Sequence, residues 1–346
     1  MNHIKIIAEI GCNHNGSKEL AKEMVTLAKE CGVDGVKFQT FNSSLLISRY
    51  AEKAEYQKKT TGEDENQLEM TRKLELGHDD LLELQEYAKS LGLEVFSTPF
   101  DFESIHFLEE NGQKIWKIPS GEITNLPYLE RIGNFEIEDK LIILSTGMAT
   151  LEEIQTAINI LQKNIMNKII ILHCNTEYPT PNQDVNISAI LDLKKHFPEY
   201  EIGYSDHSVG SIAATMSVAY GVAFIEKHFT LDKNFKGPDH KASATPDELK
   251  ELVENVRQAE VILGSGYKKV TFSELKNKWI ARKSIVAKRN IKKGEIFTEE
   301  NLICKRPGNG ISPMHWYEVL GHIAEKDFDV DQLVEVSGIG WENDYE

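Results

Sequence analysis

Apolar runs recur along the first two thirds of the chain, and a polar, ionisable motif follows the end of nearly every run. The runs are rich in Ile, Val, Leu and Phe and lack the alternation of a half-exposed strand, as expected for parallel strands that are covered on both faces. They predict eight strands, at 5–11, 35–40, 93–100, 114–120, 141–146, 168–175, 201–205 and 223–230.

Helical patterns separate most of these runs. Ser17 is placed to cap a helix over 18–31, and Thr150 and Thr245 each begin a capping-box sequence with Glu three residues later. Regular alternation of strands and helices indicates a parallel sheet. Eight such units with polar strand ends predict an α/β fold, a (β/α)8 TIM barrel whose active site lies at the carboxyl ends of the strands. The chain is therefore predicted to be an enzyme.

Two further segments interrupt this regularity. The connection 41–77 is long and rich in Lys, Glu, Gln and Thr, which predicts a lid or substrate loop on the catalytic face, or else a surface excursion with a short helix. The composition changes after Leu263. We predict a barrel at 1–265, a linker at 266–283 and a small second domain at 284–346, whose core would be marginal by itself.

Composition narrows the range of partners. The formal net charge of −16 over 346 residues argues against nucleic acid and anionic membrane surfaces, which need a basic face, but not against a small anionic substrate. The four cysteines form no C-x-x-C pair, so neither a disulfide framework nor structural zinc is expected. With no signal-peptide pattern and no apolar run of membrane length, the cytoplasm is the simplest compartment.

Two histidines end the last two predicted strands. His207 shares a strand face with Ser205, and His228 shares one with Glu226, because residues i and i+2 point the same way. Neighbouring strands lie ~4.8 Å apart, so both imidazoles can reach one metal ion at ~2.1 Å. Asp206 and Glu226 are nearby carboxylates that could orient or supplement the two histidines. We predict a divalent ion at His207 and His228 that polarises a carbonyl or activates water.

Lys37 and Lys117 lie inside otherwise apolar strands, where an unpaired ammonium group is costly. Gln39 shares the face of Lys37. Hydroxyl groups stand at neighbouring strand ends, on Thr98, Ser120, Ser145 and Ser205. Cations surrounded by hydroxyls favour a site for phosphate and carboxylate groups. The enzymatic alternative is a lysine that forms a Schiff base, as in an aldolase.

Glu9 and Glu122 are strand-end carboxylates that could act as general acid or base, or bind sugar hydroxyls. Cys174 follows His173 directly. Adjacent strand residues point to opposite faces, so these two cannot form a catalytic dyad, and Cys174 is predicted to be a core residue.

In this order the motifs resemble those of the sialic acid synthase family, most closely bacterial N-acetylneuraminate synthase. The resemblance extends over nearly the whole chain and rests on E-I-G-C-N-H-N-G, K-F-Q-T, F-S-T-P-F, K-I-P-S-G-E, S-T-G-M, H-C-N-T-E-Y-P-T-P, S-D-H, E-K-H-F-T, G-P-D-H and K-R-P-G-N-G-I-S-P. It implies a barrel followed by an antifreeze-like (SAF) domain, which crosses to the partner's barrel in a domain-swapped homodimer.

The resemblance also implies the reaction. Phosphoenolpyruvate would condense with N-acetylmannosamine and water to give N-acetylneuraminate and phosphate, by C–O cleavage and with Mn²⁺ or Mg²⁺ as cofactor. The close alternative is a synthase for a related nonulosonic acid, such as legionaminic acid, that uses a diacetamido-trideoxy hexose. Outside this class, a lysine-dependent lyase would form an imine that borohydride traps, and a non-enzymatic binding module would leave the polar strand ends unexplained.

Site residues follow from the resemblance position by position. His207 and His228 would hold the metal, and Glu9 would be the acid or base nearest to it. Phosphoenolpyruvate would contact Lys37, Gln39, Thr98, Lys117, Ser120, Ser145, Tyr178 and Ser205. Near the sugar or the reacting atoms would lie Glu122, Glu226 and Asp239, with Arg306 reaching the N-acetyl group from the partner. Relatives have asparagine where this chain has Thr176, preceded by Asn175, so either residue could face the phosphate.

Overall fold

The computed structural model describes residues 3–62, 64–163 and 167–339. The chain forms two compact units, Met1–Ser265 and Gly266–Glu346. Within the described residues, no helix has both the length and the apolar character to span a lipid bilayer.

The first unit contains the eight predicted strands, all of which are confirmed. They are β1 (Lys5–Gly11), β2 (Gly35–Thr40), β3 (Glu94–Pro99), β4 (Ile115–Ile118), β5 (Leu141–Ser145), β6 (Lys168–Cys174), β7 (Glu201–Asp206) and β8 (Phe224–His228). Each ladder is parallel, and the hydrogen-bonded order is β3-β2-β1-β8-β7-β6-β5-β4. The strands therefore form a near-closed barrel, as the sequence predicts.

Helices connect the strands, and most of them cover the outside of this barrel. They are α1 (Lys18–Glu30), α2 (Ser43–Leu46), α3 (Glu55–Thr61), α4 (Gln67–Arg72), α5 (His78–Ser90), α6 (Phe102–Glu110), α7 (Leu126–Asn134), α8 (Leu151–Leu161), α9 (Ala189–His196), α10 (Ile212–Ala219) and α11 (Pro246–Leu263). Ser17 caps α1 by accepting a hydrogen bond from the Leu20 amide at 3.2 Å. Thr150 and Thr245 form the two predicted capping boxes.

Side chains fill the barrel below its carboxyl end. A buried interior layer consists of Ile7, Phe96, Ile143, Ile170, Leu172 and Phe224, and a larger cluster packs between strands and helices. Gly203 has no room for a side chain, because a Cβ there would lie 2.4 Å from Leu172 Cδ2. With its interior packed in this way, the barrel is a filled core and not a pore, as in other barrels of this architecture.

A side chain joins β3 to β4, which stand at the two ends of the hydrogen-bonded strand order. Gln113 Oε1 accepts from the Ser97 amide at 2.7 Å, and Gln113 Nε2 donates to the Ser97 carbonyl at 2.9 Å. This side-chain amide thus makes the pair of bonds that a backbone ladder would otherwise provide. We call this junction the β3–β4 seam.

The long connection after β2 carries three short helices, α2, α3 and α4. Lys53 Nζ donates to the Gly62 carbonyl at 3.1 Å and lies 3.6 Å from Glu65 Oε1. Thr61 Oγ1 donates to Met70 Sδ at 3.5 Å, which joins α3 to α4. These contacts give residues 43–62 and 64–74, termed the lid below, a structure of their own.

The second unit contains α12 (Phe272–Ala281), β9 (Ser284–Ala287), β10 (Leu302–Lys305) and α13 (Trp316–Val319). Strands β9 and β10 pair antiparallel. A separate core includes Ile285, Ile291, Phe297 and Phe328. The predicted linker, 266–283, contains α12, and the last residues of the predicted second domain, 340–346, lie outside the described residues. The exact domain boundaries stay a prediction.

Candidate active site

A cavity of ≈ 290 Å³ opens at the carboxyl ends of the barrel strands. Most of the predicted site residues line it, although they come from strands and loops far apart in the sequence. They are Glu9, Lys37, Gln39, Thr98, Lys117, Ser120, Ser145, Thr176, Tyr178, Ser205, His207, Glu226, His228 and Asp239.

The bottom of the cavity is a buried ionic cluster of Glu9, Lys37, Lys117 and Glu226, which we call the charged floor. Lys37 Nζ lies 3.0 Å from Glu9 Oε2 and 3.5 Å from Glu226 Oε2. Lys117 Nζ lies 3.0 Å from Glu226 Oε1. Each buried lysine is thus paired, which meets the requirement for a buried ammonium group.

Burial and charge act in opposite directions on these carboxyl groups. Burial raises the pKa of Glu9 to about 7, although Lys37 acts to lower it. Glu226 is buried as well, but Lys117 and Lys37 together outweigh burial and hold its pKa below its ordinary value. The charged floor therefore contains one carboxylate that stays ionised and one that titrates near neutral pH.

Hydroxyl and amide groups bond to the charged floor from neighbouring strands. Thr98 Oγ1 accepts from Lys37 Nζ at 3.1 Å, and Ser205 Oγ donates to Glu226 Oε1 at 3.1 Å. Gln39 Nε2 donates to Glu9 Oε1 at 2.9 Å. These bonds hold the ionised groups in fixed positions, as a preorganised anion site requires.

A small cradle lies beside the charged floor, where Ser120, Gly147 and Thr176 meet. Ser120 Oγ accepts from the Gly147 amide at 2.9 Å. A Cβ at position 147 would lie 2.7 Å from Thr176 Cγ2 and 2.8 Å from Ser120 Oγ, so only glycine lets these walls approach. Cys174, predicted as a core residue, is buried next to this cradle, with its Sγ 3.3 Å from Ser120 Oγ.

The two histidines face each other at the side of the cavity, with ring centroids 5.2 Å apart. His207 Nδ1 donates to the Asn175 carbonyl, which leaves Nε2 as its unprotonated nitrogen. Burial lowers the pKa of His207 to about 4 and also lowers that of His228. His228 Nδ1 is buried without a hydrogen-bond partner and lies 3.9 Å from Asp239 Oδ2. Both rings are therefore neutral at pH 7.

Three predicted site residues are not among the described residues that line this cavity. Glu122 accepts from Asn125 Nδ2 at 2.6 Å in the turn after β4. The side chain of Asn175 donates to the Asp184 carbonyl at 2.9 Å, whereas Thr176 lines the cavity. Arg306 belongs to the second unit, where its Nε donates to the Ala281 carbonyl at 2.9 Å. Their roles stay predictions.

Asp206 does not point towards the histidines, contrary to the expectation that it might support them. It is fully buried, and its Oδ2 accepts from Lys227 Nζ at 2.9 Å. Its Oδ1 accepts from the Tyr204 hydroxyl at 3.1 Å and from Ser208. The physical reason is strand alternation, because the residue between Ser205 and His207 must face the opposite side of β7.

Several cavity residues were not singled out in the sequence, chiefly Cys12 and side chains of the lid such as Tyr56, Gln57 and Gln67. Their only sequence signal was the unusual length of the connection that carries most of them. The ring of Tyr56 lies 5.2 Å from that of Tyr178, which lies 4.3 Å from that of His207. The lid therefore packs against the histidine side of the site, which favours the lid over the surface excursion.

A barrel with paired lysines, hydroxyls and two neutral histidines at its carboxyl end is an enzyme site suited to anionic substrates. Comparison with known proteins gives the class. The NeuB family model matches residues 24–268, and the SAF domain model matches residues 282–334. The chain belongs to the NeuB family. This confirms the predicted resemblance, the barrel with its SAF domain, and an enzyme that forms carbon–carbon bonds with phosphoenolpyruvate.

Similar proteins span nearly the whole chain. N,N'-diacetyllegionaminic acid synthase of Campylobacter jejuni is 52% identical over 96% of this chain and 99% of its own length. The enzyme of the same name from Legionella pneumophila is 46% identical over 91% and 89%. The solved structure of N-acetylneuraminic acid synthetase from Leptospira borgpetersenii is 36% identical and covers 80% of this chain and 90% of its own, with a TM-score of 0.69.

These similarities change which of the two predicted products is favoured. N-acetylneuraminate synthesis was the first interpretation, and a related nonulosonic acid was the alternative. The two curated relatives above fit the alternative better, and the neuraminate reaction belongs to a related member of the family.

Proposed function

We propose that this protein condenses phosphoenolpyruvate with a diacetamido-trideoxy hexose and water, giving diacetyllegionaminic acid and phosphate. The observation that carries the proposal is the cavity itself, in which the charged floor, the hydroxyl cradle and the histidine pair converge. The 52% identity to a diacetyllegionaminic acid synthase over nearly the whole chain supports the choice of acceptor. N-acetylmannosamine is the second candidate acceptor.

Phosphoenolpyruvate suits the charged floor and the cradle. Lys37 and Lys117 offer two ammonium groups from β2 and β4, the strands on either side of β3, and Ser120, Ser145 and Thr176 line the adjacent wall. A ligand with a phosphate and a carboxylate can engage both lysines at once. The same groups would stabilise the charge of the departing phosphate, which is the larger catalytic benefit.

The histidine pair fits a divalent cation. Both rings are neutral, one nitrogen of His207 is oriented by its bond to the Asn175 carbonyl, and a buried nitrogen of His228 lacks a partner. Among the described residues, no three His, Cys, Asp or Glu side chains converge as a complete ligand set, so water and substrate oxygens would complete the coordination. Mn²⁺ or Mg²⁺ held by His207 and His228 would polarise the acceptor's carbonyl.

The protein's own groups account for the remaining chemistry. The enol carbon of phosphoenolpyruvate attacks the aldehyde carbon of the open-chain sugar, and water adds to the former enol carbon before phosphate leaves. Glu9, with a pKa of about 7, would give its proton to the aldehyde oxygen as that oxygen becomes a hydroxyl, and would then accept the proton that water gives up. Glu226 stays ionised, fixes both lysines and balances positive charge that develops nearby.

A composite site in a domain-swapped homodimer is part of this proposal. The resemblance implies that Arg306 from a second copy reaches the acetamido end of the sugar. In the described unit, Arg306 stands close to the chain segment before β9 and bonds a backbone carbonyl rather than a carboxylate. Its guanidinium group therefore keeps donors for a further partner.

The test is phosphate release from phosphoenolpyruvate with each acceptor, with and without EDTA, together with the product mass. We expect metal-dependent release that is faster with the diacetamido sugar. Lys117→Met should lower the rate about 100-fold or more, whereas Lys114→Met, at an exposed position near the start of the same strand, should not. Preference for N-acetylmannosamine would restore the first interpretation. Absence of release with both sugars would disprove the synthase function.

A further inference from the structure

The lid contributes a large part of the cavity wall. Its lining side chains include Leu46, Ile47, Tyr56, Gln57, Gln67 and Met70. None of the described lid residues that line the cavity carries a charge, although the lid is rich in charged residues.

Three of the lid's lysines are engaged elsewhere, and the fourth, Lys59, is exposed and does not line the cavity. Lys53 bonds the Gly62 carbonyl, Lys58 bonds Glu55 at 3.0 Å, and Lys73 pairs with Glu65. The cavity therefore has two chemically different sides. Its ionised groups come from the barrel and the loop after β8, and the lid side is apolar with amide groups.

This uncharged side adjoins the reaction centre. Tyr56 packs on Tyr178, and Tyr178 packs on His207 and meets His228 edge-on at 5.6 Å. When the carbonyl group of a substrate lies near the histidines, the rest of that substrate must therefore extend towards either the charged floor or the lid. Phosphoenolpyruvate requires the charged floor, which leaves the lid side for the acceptor.

We infer that the lid selects the acceptor, with Leu46, Ile47 and Met70 receiving the methyl groups of an N-acylated deoxy sugar. Gln57 Oε1 already accepts from the Ala54 amide at 2.9 Å, so acetamido groups would meet chiefly the amide group of Gln67. This inference rests on the proposed function. A hydroxymethyl group in place of a methyl group would put a polar group against an apolar wall. A sugar phosphate would meet no cation among the described lid residues that line the cavity.

The experiment compares Leu46→Asn with Leu45→Asn. The two leucines are neighbours in α2, but Leu46 lines the cavity while Leu45 is exposed and does not line it. The readout is kcat/KM for the diacetamido-trideoxy hexose divided by kcat/KM for N-acetylmannosamine. We expect this ratio to fall ~10-fold or more in Leu46→Asn, because a methyl pocket discriminates by about that factor. Leu45→Asn should leave it unchanged.

Ile47→Thr provides a second cavity variant, and thermal unfolding shows that each variant is folded. An equal loss with both sugars in both cavity variants, or an equal effect of Leu45→Asn, would overturn the role of the lid while leaving the synthase function intact. Turnover of N-acetylmannosamine 6-phosphate at the rate of the diacetamido sugar would overturn it too. If the unmodified protein released no phosphate with either sugar, the proposed function would fail and this inference with it.

Discussion

At the scale of single residues, Glu9 is the group whose protonation responds to substrate. Its pKa of about 7 arises because burial opposes ionisation more strongly than Lys37 supports it. A phosphate or carboxylate bound to Lys37 would bring a second negative charge close to Glu9 and raise that pKa further. Substrate binding and proton uptake should therefore be coupled.

We expect the enzyme to take up protons when phosphoenolpyruvate binds between pH 7 and pH 8. In this range Glu9 is mostly ionised in the free enzyme and becomes more protonated in the complex. Calorimetric titrations in two buffers of different ionisation enthalpy measure the uptake. In Glu9→Gln the Glu9 contribution should vanish, and an unchanged uptake in that variant would assign the proton to another group, such as the phosphate.

Gly147 offers a second test at this scale. A methyl group at this position would collide with Thr176 and Ser120, so Gly147→Ala should spread the cradle and raise the KM for phosphoenolpyruvate ~10-fold or more. Gly77→Ala is the matched control, because the nearest atom to its new Cβ would be Asp80 Oδ2 at 3.8 Å. Steady-state kinetics measure the KM for phosphoenolpyruvate of both variants. Equal KM values would show that the cradle does not contribute to phosphoenolpyruvate binding.

At the scale of elements, the β3–β4 seam depends on one side chain. In Gln113→Leu the Ser97 amide and carbonyl would lose their partners, and we expect a loss of about 1–3 kcal/mol in the free energy of unfolding. Asn111→Ala serves as control, since its exposed side chain bonds only the Phe107 carbonyl. Urea unfolding measures both. Equal stability of the two variants would show that the seam holds without Gln113.

The sequence predicts those features that depend on neighbouring residues, but not those that depend on contacts between residues far apart in the chain. The strands and the capping boxes at Thr150 and Thr245 follow from local patterns, so they could be located in advance. The pairing of Lys37 with Glu226 could not, because it joins β2 to β8, which are far apart in the sequence and come together on either side of β1 only in the folded barrel. The roles of Gln113 and the lid side chains also escaped prediction, since they depend on which surfaces meet after folding.

At the scale of the whole molecule, the proposed composite site predicts that two inactive variants complement each other in a mixed dimer. Lys117→Met should inactivate the site in its own barrel, and Arg306→Ala should remove the guanidinium group that completes the site of the other copy. Co-expressed, the two variants should form mixed dimers with one site that is intact in both respects, and so regain activity that neither has alone. Activity of the separately purified variants and of the mixture gives the answer. No recovery in verified mixed dimers would place Arg306 at the site of its own chain.

The charged floor has a further consequence for a protein surrounded by other anions. Since Glu9 and Glu226 already pair with the lysines, an incoming anion must compete with these internal carboxylates for the positive charge. An abundant ion such as inorganic phosphate, with a single anionic group, would gain little from that competition. A ligand with two anionic groups at the right separation gains at both lysines together. In the free enzyme the two glutamates therefore compete with any anion for the lysines. This competition should weaken the binding of simple salts more than that of the doubly anionic substrate.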